Sequence, residues 1–238
     1  MTSSLDEHVA LVTGAGRGVG RAIAVQLARA GCRTAILARN EEDLAATVAE
    51  AELPSGSTVL LPVKADPTHD AALEKAVRII MERLGNITLL VNAAGFAPPR
   101  ETVMKTALAD WDRILATCLR APMVLARLVL PDMLAHGHGT IVNIAPSTGA
   151  QGRAGESAYA AAKFGLLGFT QSLAAEVREH GVTVTAIVPA SVQQAASAAY
   201  ESDGVSGLEP GHIAAAVLDI LRNPARPHPT EIPLPSPA

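Results

Sequence analysis

The sequence predicts one doubly wound α/β domain built on a parallel sheet. Three observations carry that reading. Short apolar runs alternate with amphipathic helical stretches along the chain, the runs lack in–out alternation, and the first run ends in a glycine-rich turn that opens a helix. Strands without alternation are covered on both faces. Parallel strands need crossover helices, and right-handed crossovers wind those helices onto both sides of one sheet.

The elements follow in order. Val9–Thr13 is the first strand, stopped by Gly14, and the helix from Gly18 to Ala30 spaces Val19, Ile23, Leu27 and Ala30 on one face before Gly31. Thr34–Ala38 is the second strand, followed by a charged helix from Glu41 to about Ala51. Pro54–Ser57 is a turn, Thr58–Val63 a strand, and Thr68–Leu84 a helix closed by Gly85. Ile87–Val91 is a buried strand, and a proline-rich loop runs from Phe96 to about Thr102. A long helix from about Ala109 to Ala135 ends at Gly137, Thr140–Ala145 is a strand, and about Ser157 to Glu179 is a helix ended by Gly181. Val182–Val188 is a strand ended by Pro189. The small, alanine-rich stretch from Ser191 to Gly207 is a substrate loop, and Gly211–Arg222 is the last helix. A proline-rich tail begins at about Asn223, in which Thr230–Leu234 adds an edge strand that tolerates Pro233. No composition break divides the chain, so 1–238 reads as one domain.

Composition narrows the function. With 49% hydrophobic and 18% charged residues among 238, the chain can bury a large core, which excludes disorder for its bulk. A net charge of −4 argues against a nucleic-acid partner, and 3% aromatics argue against base-stacking platforms. Cys32 and Cys118 are too few for a disulfide framework, which points to a reducing cytoplasm. The polar start, Met1 to His8, has no signal-peptide core. The most apolar long segment, Ile114 to Ala135, is interrupted by Arg120, Pro122, Arg127 and Pro131, so no membrane span is expected. His136 and His138 flank Gly137 without an accompanying cysteine or acid cluster, and no metal site is expected.

Two motifs carry chemistry. Thr13 to Gly20 joins strand to helix with glycines at 14, 16, 18 and 20. Glycine lets a pyrophosphate approach the backbone, and the helix N-terminus offers unpaired N–H groups and a positive dipole end. Gly14, Gly16, Arg17, Gly18, Val19 and Gly20 are therefore candidate phosphate-binding residues. A carboxylate at the end of the second strand would bind a ribose 2′-hydroxyl, but here Ala38 and Arg39 stand there. Arg39 and Arg17 can form bidentate bonds to a 2′-phosphate, which favours NADP(H) over NAD(H).

Tyr159 and Lys163 lie four apart on a predicted helix and so point the same way. A phenol with an ordinary pKa of about 10 is too weak an acid for neutral-pH proton exchange, and a neighbouring ammonium lowers it. The pair can then pass a proton to or from an alcohol or carbonyl oxygen while a hydride moves.

Over nearly its whole length the chain resembles the short-chain dehydrogenase/reductase family. The matching pieces are Thr13–Gly20, Asp66, Leu90-Val91-Asn92-Ala93-Ala94-Gly95, Ile141-Val142-Asn143-Ile144, Tyr159-Ala160-Ala161-Ala162-Lys163 and Val188-Pro189. The resemblance implies a Rossmann-type, seven-stranded parallel sheet in the order 3-2-1-4-5-6-7. It also implies NAD(P)(H)-dependent interconversion of a small-molecule carbonyl and an alcohol, and homodimers or homotetramers packed through the long helices. It makes Tyr159 and Lys163 catalytic, and adds Asp66, Asn92, Ala93, Gly95, Pro189 and Val192 to the cofactor site together with Tyr159 and Lys163, Lys163 on the nicotinamide ribose.

Departures gather at the chemistry. The family's serine thirteen residues before the tyrosine corresponds to Pro146, with Ser147 and Thr148 following. Proline donates no hydrogen bond. The family's helix asparagine corresponds to Cys118, its proline–glycine after the sixth strand to Pro189-Ala190, a common threonine to Gln194, and an aspartate opening the fourth strand to Thr88. Two readings follow: a working NADP(H)-dependent reductase of the 3-oxoacyl or ketone type, and a nucleotide-binding regulator or partner subunit with impaired turnover.

Overall fold

β1 (Val9–Thr13) is an inner strand of the sheet with all five residues buried. Its alternate residues serve opposite faces: Val9 and Leu11 join one core cluster, Ala10 and Val12 the other. In this computed structural model residues 5–53, 59–95, 99–145, 152–190, 192, 207–223 and 228–235 are described. After β1 come α1 (Gly18–Arg29), β2 (Arg33–Ala38), α2 (Glu41–Ala51), β3 (Leu60–Lys64), α3 (Asp70–Leu84) and β4 (Leu89–Asn92). Then follow α4 (Leu108–Leu115), a π-helical turn (Ala116–Arg120), α5 (Ala121–His136) and β5 (Gly139–Ile144). The chain continues through α6 (Ser157–Val177), β6 (Val182–Pro189), α7 (Pro210–Arg222) and β7 (Glu231–Leu234).

The seven strands form one sheet in the order β3-β2-β1-β4-β5-β6-β7, every pairing parallel. One face is covered by α3, α5 and α6 through Leu73, Ile80, Leu125, Val129 and Leu173. The other is covered by α1, α2 and α7 through Ile23, Leu27, Leu44, Ile213 and Val217. This is the doubly wound arrangement the alternation predicts. It gathers the carboxyl ends of β1, β2, β3 and β4 along one side, where ligands bind in such sheets. Both edge strands carry an exposed proline, Pro62 in β3 and Pro233 in β7.

Four details differ from the sequence reading. α3 begins at Asp70 rather than Thr68, because the Thr68 N–H and hydroxyl both donate to the Asp66 carboxylate at 2.9 and 2.8 Å. Side-chain bonds of this kind compete with helix initiation. β3 and β4 are shifted toward their carboxyl ends by pairing with β2 and β1. The long helix is broken into α4 and α5 by the π turn. Finally, Leu108–His136 is long and apolar enough to cross a membrane despite its arginines and prolines. Here it lies against the sheet, with Leu125, Ala126, Val129 and Met133 in the core.

Candidate active site

The glycine turn is shaped by close backbone packing. Gly14 has φ +65°, and a Cβ there would stand 2.7 Å from the Ala94 Cα; one on Gly20 would stand 2.4 Å from the Gly14 carbonyl oxygen. No side chain fits at either position. Gly16 is buried against α2, Gly18 opens α1 with nothing within 4 Å of where a Cβ would be, and Val19 is half-buried. Arg17, the residue before α1, makes no side-chain cap, so the first helical N–H groups have no capping side chain. An uncapped helix start behind a tight turn has the free N–H groups and dipole end that suit an anion.

Side chains that the sequence reading did not single out hold this turn. The Thr47 hydroxyl donates to the Ala15 carbonyl at 2.8 Å and accepts from Arg21 Nε at 3.1 Å, while Arg21 Nη2 donates to the Gly16 carbonyl. The turn's carbonyls are thereby engaged with α1 and α2. Thr13 does the same across the strands: its hydroxyl accepts from the Ala93 and Ala94 N–H groups, each at 3.1 Å. That bond fixes Ala93–Gly95 beside the glycine turn. The Thr13–Ala94 and Arg21–Thr47 bonds span 81 and 26 residues of sequence, and no local pattern announces Arg21 or Thr47.

Arg39 is exposed just beyond β2, and Arg17 is exposed in the turn. Asp66 lies beyond β3. Burial pushes its carboxyl up, but the two Thr68 hydrogen bonds and the Arg39 charge outweigh that and hold it below the usual value. Asn92 ends β4 and donates from Nδ2 to Asn143 Oδ1 at 2.8 Å; Asn143 donates to the Thr170 hydroxyl at 2.8 Å, which donates to the Leu166 carbonyl at 2.7 Å. The chain is buried throughout, yet the Asn92 Oδ1 has no hydrogen-bond partner among the described residues. A buried acceptor left open where β4 ends suits a polar ligand lying along the strand ends. Pro189 ends β6, and Val192 forms an isolated parallel bridge with Leu208.

Tyr159 and Lys163 stand on the first two turns of α6. Lys163 is 3% exposed and its Nζ donates to the Ile144 carbonyl, at the end of β5, at 2.9 Å. Nζ is 5.8 Å from the centre of the Tyr159 ring. Burial pushes the Lys163 ammonium below the ordinary lysine value, and the Cys118 sulfur partly opposes this. Cys118 is fully buried in the π turn and packs with Ile114 and Ala162, with Tyr159 against the same cluster. The π turn closes with the Ala121 N–H donating to the Ala116 carbonyl. The structure therefore brings Cys118, Tyr159, Lys163 and the end of β5 together, and brings Gly14–Gly20, Arg39, Asp66 and Asn92–Gly95 to the same side of the sheet.

Pro146, Ser147, Thr148 and Gln194, singled out in the sequence, lie outside the described residues. Thr88 precedes β4 at the opposite end of the sheet, where its hydroxyl accepts from the Val9 N–H at 3.1 Å and meets His8 Nδ1 at 3.2 Å. His136 and His138 lie at that end too, their ring centres 6.1 Å apart.

A parallel sheet whose strand ends collect a glycine turn suited to an anion and a tyrosine–lysine pair defines a dinucleotide-dependent oxidoreductase. The chain belongs to the short-chain dehydrogenase family, whose profile matches residues 8–204. It is 40% identical over 186 residues to the short-chain reductase protein NovJ of Streptomyces niveus, covering 78% of this chain and 70% of NovJ. It is 34% identical over 205 residues to the 3-oxoacyl-(acyl-carrier-protein) reductase FabG of Escherichia coli, covering 86% and 82%. A metagenomic short-chain oxidoreductase in complex with NADP superposes with a TM-score of 0.87 at 32% identity, over 99% of this chain and 100% of that one. Levodione reductase superposes with a TM-score of 0.87 at 29% identity, over 96% and 95%.

Proposed function

We propose that the protein is an NADP(H)-dependent reductase that interconverts a carbonyl and a secondary alcohol on a ketone- or 3-oxoacyl-type substrate. The observation that carries this reading is the buried Lys163 beside Tyr159 at the strand ends. Burial this deep disfavours a lysine's charge, and a perturbed titratable group at the strand ends is the mark of a functional site. Both curated relatives compared above are named as reductases, and one structural neighbour holds NADP.

The nicotinamide supplies a hydride to the carbonyl carbon when the cofactor is bound. Gly14, Gly16, Arg17, Gly18, Val19 and Gly20 would hold its pyrophosphate, and Arg39 with Arg17 the 2′-phosphate. Asp66, Asn92, Ala93, Gly95, Pro189 and Val192 would line the rest. Tyr159 gives its phenolic proton to the carbonyl oxygen as charge develops there, which typically contributes about 10²–10⁴ in rate. Lys163 favours the phenolate that remains, and its hydrogen bond to Ile144 keeps it on the β5 end of the site.

Titration of the purified protein with NADPH and NADH, followed by a panel of ketone and 3-oxoacyl substrates, tests the reading. Equal affinity for the two cofactors overturns the NADP assignment. Absence of turnover across the panel favours the second reading, a nucleotide-binding regulator or partner subunit, for which Pro146 and Cys118 speak. Pro146→Ser then decides between them. Restored turnover, by up to about 10²-fold, marks an emptied donor position at that loop.

The exposed apolar residues Leu115, Met123, Leu134 and Phe164 on α4, α5 and α6 support a homodimer or homotetramer packed through these helices. Both cysteines are free and buried, which suits a reducing cytoplasm.

A further inference from the structure

We propose that Arg100 and Glu156 form a positioning pair that sets where Tyr159 stands at the mouth of the site. This rests on the reductase reading above. α6 carries both functional side chains, at different depths. Lys163 is buried and tied to Ile144. Tyr159 lies one turn nearer the free end of the helix and is half-buried. Its place depends on how the first turn of α6 is fixed.

That turn has no side-chain cap: Glu156, the residue before α6, makes no capping bond. Its carboxylate instead reaches the segment between β4 and α4, where Arg100 Nε donates to Oε1 at 2.8 Å. A main-chain bond runs beside it, from the Glu101 N–H to the Gly155 carbonyl at 3.1 Å. Gly155 has φ +81°, and a Cβ there would stand 3.0 Å from the Arg100 Cβ. One ionic and one backbone tie thus join 100–101 to 155–156, three residues before Tyr159.

Stability does not account for the pair. The Glu156 side chain is 3% exposed, and its second oxygen, Oε2, is buried without a hydrogen-bond partner among the described residues. A half-satisfied buried carboxylate opposes folding, and an ordinary serine or aspartate cap would hold a helix start at lower cost. What the pair provides is a fixed connection between the loop after β4, on the cofactor side, and the helix that carries the proton donor. Proton transfer tolerates little displacement: a shift of about 1 Å can cost about 10²-fold in rate.

The test uses Glu156→Ala, Glu156→Gln and Arg100→Met with two readouts. The first is the phenol titration signal that Tyr159→Phe removes, followed by ultraviolet absorbance. In Glu156→Ala and Arg100→Met its midpoint departs from the parent value, as Tyr159 moves relative to Lys163. In Glu156→Gln, which keeps an acceptor for Arg100, it stays at the parent value. The second is steady-state kinetics: kcat falls about 10- to 100-fold in the first two variants with the KM for NADPH little changed, and Glu156→Gln recovers most of it. A parent-like titration and kcat in both Glu156→Ala and Arg100→Met overturns the proposal. So does a Glu156→Gln protein as impaired as Glu156→Ala. If Glu156→Ala does not fold, Arg100→Met, altered at a partly exposed side chain, gives the same decision. If the parent turns over no substrate, the reductase reading fails while the titration still decides the pair.

Discussion

The two ends of the candidate site are built on opposite principles. Around the glycine turn, side chains hold the backbone in place. Thr13 takes two N–H groups, Thr47 and Arg21 take two carbonyls, and the glycines leave no room for side chains. Around α6 the structure instead retains a buried lysine, a carboxylate with one oxygen unpartnered among the described residues, and a π turn in a long helix. The first region shapes backbone for a ligand that brings its own charge. The second keeps reactive groups in surroundings that resist their charged forms. On the proposed reductase reading, ligand affinity should follow mainly the first region, and rate the second.

Tyr159→Phe gives the sharpest division. Turnover falls by about 10²–10⁴-fold while NADPH affinity, read by fluorescence titration, stays close to the parent. A large loss of affinity would break the comparison. Arg39→Asp acts at the other end and inverts the cofactor preference. Losing charge-assisted bonds to a 2′-phosphate shifts NADPH against NADH by about 10- to 100-fold. With Tyr159 and Lys163 intact, the maximal rate with the better cofactor changes little.

Gly14→Ala places a methyl group against the Ala94 backbone at a positive φ. It should cost about 1–3 kcal/mol of stability and weaken both cofactors together, seen in thermal melts and binding titrations. Thr13→Val keeps the volume and removes the acceptor for two N–H groups, at a cost of about 1–3 kcal/mol. Its loss of cofactor affinity should exceed its loss of kcat.

The smallest effect is a slope. Lys163 has its folded value depressed by burial, so in the window between that value and 10.5 the unfolded chain binds a proton that the native chain has released. Stability contributed by this group therefore rises with pH through the window. Lys163→Met removes that slope and abolishes turnover, with no large fall in melting temperature at neutral pH. Denaturant titrations at several pH values measure it, and an unchanged slope would assign the alkaline behaviour to another group.

The first region was the more legible in the sequence. Strand, turn and helix lie within Val9–Arg29, so a local pattern reports a local geometry, and Arg39 and Asp66 follow at strand ends. Tyr159 and Lys163 were legible because four residues on a helix place both side chains on one face. Contacts between distant elements were not legible. Nothing near Arg100 points to Glu156, and nothing near Asn92 points to Asn143 and Thr170. The π turn was hidden for another reason. The sequence around Cys118 is helical in composition, and one extra residue per turn leaves its apolar spacing almost intact.

The prolines at the two margins of the sheet bear on how copies of this chain can meet. A sheet edge ordinarily presents a row of unsatisfied donors and acceptors on which a foreign strand can polymerise. Here Pro62 interrupts one margin, opposite Ile36, and Pro233 the other, opposite Val188. Each removes a donor from its strand and places a rigid ring where an incoming backbone would have to lie flat. Edge-to-edge growth is thereby blocked at both ends. A crowded solution of the folded protein should therefore resist fibrillation through these two margins.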